Sequence, residues 1–264
     1  MLRSMYSGIS GMKGFQTKLD VIGNNIANVN TSGFKKGRVT FQDMMSQTTR
    51  GAQAPAGGRG GVNPMQVGLG SQTGSIDNIH TQGFTQTTGN PLDLAIEGNG
   101  MFRVTDGTTD YYTRAGNFYL DDEGYVVNPD GYYLLDEGGN RIQIEDDVSS
   151  FSISADGVVN TVVNGQPNVA GQIGITIFSN PEGLEKVGGN LYMQSQSSGA
   201  PINTTPGNEA NGAGDVVSSA LEMSNVDLAE EFTEMIVSQR GFQANTRIIT
   251  TSDEILQELV NLKR

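Results

Sequence analysis

A mixed architecture follows from three features of this chain: long terminal α-helices form an α-helical coiled-coil domain, and a central domain is mainly antiparallel and all-β. Each end carries a proline-free run with apolar residues at three- and four-residue steps. Between the ends the hydrophobic period shortens to two, and Asp-Gly and Gly-Gly steps punctuate it.

In the carboxyl-terminal run, residues 226–264, Leu228, Phe232, Met235, Phe242, Ile249, Leu256 and Val260 fall on one line of alternating four- and three-residue steps. Gln239, Thr246 and Asp253 take the remaining places. A seven-residue average repeat belongs to a long helix that buries a narrow seam. Asn225 or Asp227 caps its start, and Glu230, Glu231 and Glu234 sit early, where the helix dipole favours acids. Lys263 and Arg264 supply the complementary charge at its end. Helical to residue 262, it spans roughly 55 Å at ~1.5 Å per residue. Such a helix needs a partner.

The amino-terminal run supplies one. Met5, Ile9, Met12, Leu19 and Ile26 recur on one stripe that Phe15, Ile22 and Val29 widen, over roughly 40 Å. Gly8, Gly11, Gly14 and Gly23 each cost this helix about 1 kcal/mol relative to alanine. It gains order by packing, and its glycines admit close backbone approach. Asn28, Asn30, Thr31, Ser32 and Gly33 stop it.

In the centre, Leu92, Leu94 and Ile96 alternate before Met101–Val104, and short aromatic and β-branched runs follow as far as Ile173–Phe178. The reading places a β-rich outer domain at 75–220 and the coiled-coil domain at 1–30 plus 225–264. Residues 31–74 form a Gly-rich connecting segment in which Val39 and Phe41 begin a strand. Residues 51–70 have neither period and read as loop.

Composition narrows the function. Cysteine is absent, which removes disulfides and thiolate chemistry. The net charge is −13, against a nucleic-acid surface, although residues 1–50 carry +5 of their own. No run approaches a membrane span or a secretory signal, so neither a span nor export by the general secretory route is expected.

Two motifs then become specific. Asn24-Asn25-Ile26-Ala27-Asn28 followed by Thr31, Gly33, Phe34 and Lys35 resembles the amino-terminal signature of bacterial flagellar rod and hook proteins. Ser224-Asn225-Val226-Asp227 and Gln239–Asn245 resemble that family's carboxyl-terminal signature. The resemblance implies an inner coiled coil of terminal helices packed around a central export channel, with β domains farther out. The polar seam residues Gln239, Thr246 and Asp253 would then set register. Implied partners are copies of the same chain in a helical tube, adjoining rod, hook or junction proteins, and the flagellar type III export apparatus. Localisation is then the basal body or hook, outside the cytoplasmic membrane. Phe41 and Met45 resemble the hydrophobic motif by which such subunits engage the export gate; the alternative is an apolar anchor for the connecting segment. The long insertion at 51–70 resembles distal-rod subunits, but hook subunits of bacteria lacking an outer membrane are also short. Rod and hook both stay open here.

Chemistry is sparse. His80 is the single histidine and reads as part of a polar turn; no cofactor, metal or catalytic set is expected. Lys35, Lys36 and Arg38 read as a solvated cluster, and Arg103 and Arg114 as partners for acids such as Asp93 or Glu97. An alternative to the structural reading is a carbohydrate-binding face built from Tyr111, Tyr112, Tyr119, Tyr125, Tyr132 and Tyr133. Adjacent tyrosines point to opposite faces of a strand, which weighs against it.

Overall fold

The protein is described from a computed structural model covering residues 2–55, 60–145, 148–163, 165–208 and 210–262, without the side chains of Leu2 and Ser149. Long terminal helices flank, in sequence, a central and mostly antiparallel β region. The chain divides into two units: one from residues 1–27, 37–78 and 227–264, the other from 28–36 and 79–226.

The first unit holds both helices, α1 (Leu2–Ala27) and α2 (Leu228–Asn261). Of the two candidate caps, Asp227 is the one used: its carboxylate accepts the Ala229 and Glu230 amides at 2.8 and 3.4 Å. Lys263 and Arg264 lie outside the described residues. The helices run antiparallel. Asn25 donates to Glu231 at 3.2 Å, Lys18 pairs with Glu234, and a Cβ on Gly8 would lie 3.5 Å from Ile249.

Toward α1, α2 turns the line Glu231, Ser238, Asn245 and Ser252, with Met235, Ile249 and Leu256 half-buried beside it. Leu228, Phe232, Phe242 and Val260 remain exposed in the single chain. The intrachain contact is thus rotated from the line on which the apolar residues are densest. Small side chains explain the rotation, because they let the backbones meet. Gly241 faces the Phe15 ring, where a Cβ would come within 2.6 Å, and Gly11 faces the Asn245 carboxamide. Ser252 satisfies its hydroxyl on the Ile248 carbonyl at 2.7 Å.

These glycines are not equivalent. Gly23 has open space around it, so Gly23→Ala should stabilise α1 by about 1 kcal/mol. Gly241→Leu must displace Phe15 and should weaken the helix pair by about 1–3 kcal/mol. Thermal melts followed by helix ellipticity compare the two; a lower midpoint for Gly23→Ala would show that its space is used.

An antiparallel hairpin completes this unit. Gly37–Asp43 pairs with Ser71–Asn78, from Gly37↔Asn78 to Asp43↔Ser71, with a bulge between Thr40 and Phe41. Farther out, Gln47–Arg50 pairs with Met65–Val67. Residues 65–67 therefore correct the loop reading of 51–70: their partner strand supplies the order that composition does not reveal.

The second unit is β-rich. Met101–Thr105 lies central in a nine-stranded sheet, paired with Asp110–Thr113, Tyr133–Leu134 and Ile175–Ile177. Val148–Ile153, Val158–Val163 and Gln166–Gln172 form a three-stranded sheet. Leu94–Glu97 pairs with Asp215–Ser218, and Thr85–Thr87 with Ala220–Glu222. Alternation places Leu94, Ile96, Phe102, Val104, Ile175 and Val216 in one core, where Phe102 meets Phe118 edge-on at 5.4 Å.

Candidate functional site

Both halves of the amino-terminal motif serve as internal anchors. In the helical unit, Asn25 is 1% exposed and pairs with the Gly37 backbone in both directions at 2.9 Å, while also reaching Glu231. One carboxamide thus ties α1 to the start of the hairpin and to α2. Asn24 and Ala27 lie on the exposed side of α1.

In the β unit, the motif continues as a turn. Thr31 donates through its amide and its hydroxyl to the Asn28 carbonyl and carboxamide oxygens, both at 3.1 Å. Gly33 has φ +69° and donates its amide to the Glu222 carbonyl at 2.8 Å. A Cβ there would lie 2.5 Å from the Ala115 nitrogen, so the site needs glycine for both conformation and space. Phe34 is buried with the Lys186 ammonium 4.9 Å from its ring centroid.

Lys35 corrects the solvated-cluster reading, because it is fully buried. Its ammonium lies 2.5 Å from Glu222 Oε1 and 2.7 Å from the Thr81 carbonyl. Glu222 also accepts the Gly83 amide at 3.0 Å and Arg114 at 3.3 Å. Arg114 donates onward to the Ile96 and Gly98 carbonyls at 3.3 and 2.6 Å. Burial lowers the pKa of both cations, and the Glu222 charge opposes that shift. The expected acid partners were also wrong: Arg114 uses Glu222, and Arg103 uses Asp110 at 2.5 Å. Strand alternation puts Glu222 on the same face as buried Ala220, a signal that sequence reasoning missed.

Asn225 is the counterpart of Asn25 in this unit. It accepts the Lys36 amide at 2.7 Å and donates to the Ile79 carbonyl at 2.8 Å and the Thr81 hydroxyl at 2.9 Å. Between Ile79 and Thr81, His80 departs from the polar-turn expectation. Its ring sits 5.5 Å from that of Tyr192, and neither buried nitrogen has a hydrogen-bond partner among the described residues. Burial first, then Lys35, Arg114 and Lys186, pull its pKa down to about 4.

The remaining sequence candidates separate. Met5, Ile9, Met12, Leu19 and Ile26 are all half-buried. Phe41 places its ring against Gly14, 6.2 Å from Phe15, whereas Met45 is 87% exposed. The tyrosines do not share a face. Tyr112 is buried edge-on against Phe178, Tyr111 pairs with Tyr132, and Tyr133 meets Tyr125 edge-on with Arg141 over its ring. Among the described residues, no group of three or more His, Asp or Glu is placed to hold a metal ion. No described helix is long and apolar enough to cross a membrane.

Paired terminal helices with unpartnered apolar lines, and motifs spent on internal anchoring, define a structural subunit built to assemble. Comparison with known proteins supplies the family. Residues 5–35 match the family described as flagella basal body rod protein, and 95–161 match the flagellar hook protein FlgE/F/G D1 domain. Residues 217–262 match the flagellar basal body rod FlgEFG protein C-terminal family. The chain is 60% identical to the flagellar basal-body rod protein FlgG of Bacillus subtilis, over 100% of both chains. It is 40% identical to FlgG of Buchnera aphidicola, over 99% of this chain and 100% of that one. It is also 31% identical to the flagellar hook protein FlgE of Borreliella burgdorferi, in an alignment of 443 residues covering 100% of both. The chain therefore belongs to the flagellar basal-body rod and hook protein family, and it is a structural subunit that self-assembles into the flagellar axial tube.

Proposed function

We propose that this chain is a distal-rod subunit, and that it transmits torque through the tube without a catalytic cycle. The observation that carries the reading is 60% identity to a basal-body rod protein along the full length of both chains. The hook relative requires an alignment of 443 residues against a chain of 264, and so carries substantial sequence that this chain lacks. In the assembled tube, residues 1–30 and 225–264 form the inner helical domain, 31–74 connect it, and 75–220 lie outward. Leu228, Phe232, Phe242 and Val260, exposed in one chain, are then covered by neighbouring copies and by adjoining rod, hook or junction proteins. The test is the content of basal bodies from cells that lack the hook subunit. This chain should be present in them; its restriction to hook fractions would assign it to the hook.

The export route is the flagellar type III apparatus, with Phe41 and Met45 as its contact before folding. Exposure of Met45 favours this role, while Phe41 also anchors the hairpin on Gly14. The two roles separate in cells blocked before rod assembly. Phe41→Ala with Met45→Ala should lower secreted subunit severalfold at unchanged synthesis, whereas secretion at the wild-type rate would leave only the anchor.

A further inference from the structure

One groove in the helical unit is filled by none of the described residues. It has a volume of about 590 Å³ and lies between the first half of α1 and the hairpin. Tyr6, Ile9, Met44 and Leu69 line it, with Arg3 and Lys13 as its charged residues. Both cations are exposed, and neither has an ion-pair partner among the described residues. A mainly apolar trough edged by positive charge fits an amphipathic helix that carries acids beside an apolar stripe.

The same chain displays such a helix. Ile255 and Leu259 lie four residues apart on α2 and its C-cap Leu262 follows three residues on; they are 48%, 50% and 83% exposed. Glu254 and Glu258 flank them, and residues 248–262 contain no Lys or Arg. This stripe differs from the line through Phe232 and Val260. With Gly8 opposite Ile249, equal rise brings the start of α1 opposite about residue 255, so the last two turns of α2 run past it. They lead away from the chain's own groove, which lies along residues 3–17 of α1.

We propose that the groove of one copy receives the Ile255–Leu262 stripe of a second copy running antiparallel to its α1, with Glu254 toward Lys13 and Glu258 toward Arg3. The stripe is about 10 Å long and the helical wall of the groove about 20 Å, so it fits lengthwise. Groove and stripe are different patches of one molecule. The contact is therefore heterologous, and repetition extends an array instead of closing a dimer. This inference rests on the self-assembly reading and names the surfaces that would join.

Absence of cysteine makes the contact directly testable. Cells co-express two full-length single-cysteine chains, Tyr6→Cys and Leu259→Cys, in place of the native chain, and isolated basal bodies are oxidised. A mixed disulfide should dominate over either homodimer. Lys13→Glu should lower its yield about tenfold, and Glu254→Lys on the other chain should restore it. Basal bodies that contain both chains without the mixed disulfide would overturn the groove contact and leave self-assembly intact. Basal bodies without either single-cysteine chain, when the unsubstituted chain is also missing from them, would remove the self-assembly reading and this proposal together. If only the substituted chains are missing, Ser4→Cys replaces Tyr6→Cys on the adjacent helix surface, and absence of its mixed disulfide counts against the contact.

Discussion

Glu222→Ala should lower the unfolding free energy of the β unit by about 3–5 kcal/mol, the scale for stripping one partner from a buried ion pair. Among the described residues, the substitution leaves Lys35 and Arg114 buried with only carbonyl acceptors: Thr81 for the first, Ile96 and Gly98 for the second. Lys35→Met should cost less, about 1–3 kcal/mol, because Glu222 keeps Arg114 and the Gly83 amide. The two losses should not add, since the residues share one network. Urea unfolding followed by tyrosine fluorescence suits the measurement, as the chain has no tryptophan and only Tyr6 of its tyrosines lies outside this unit. Equal losses for the two variants would mean that Glu222 is not the common counter-charge.

Acid should destabilise the same unit through His80. Its folded pKa is about 4 against an ordinary 6.5, so between those values the unfolded chain binds a proton that the native chain refuses. Stability contributed by neutral His80 is therefore complete above pH 6.5, falls as pH drops through that window, and is lost by about pH 4. At ~1.4 kcal/mol per pH unit the loss is about 3 kcal/mol. His80→Phe keeps a ring beside Tyr192 and cannot protonate, so its stability should fall less over the same range. Parallel acid profiles for the two proteins would show that His80 titrates normally in the fold.

Much of this molecule was legible before folding was considered. Absence of proline and three- and four-residue apolar steps announced both helices, and an Asn/Asp start marked the second, because those signals act within one turn of backbone. Period-two runs broken by Asp-Gly and Gly-Gly announced the β domain for the same local reason. The spacing of Asn25, Gly33, Phe34, Asn225 and Asp227 carried the family, although not what each residue does.

What those residues do was decided by pairing between distant segments. Asn225 and Asp227 were equivalent candidates as caps; the fold gives the cap to Asp227 and sends Asn225 to Lys36, Ile79 and Thr81. Lys35 looked solvated beside Lys36 and Arg38, yet Glu222, 187 positions away, allows its burial. Periodicity locates apolar residues on α2 but does not say which face meets α1. Helix packing followed close backbone approach at Gly241 and Gly11 and hydrogen bonding at Glu231, leaving the denser apolar lines outward. By itself the sequence determined which segments are helix and which are sheet, through short-range sterics and hydrophobic period. Only the tertiary structure decided which polar groups are buried and which apolar faces stay open, because a charge can leave water only where a distant partner meets it.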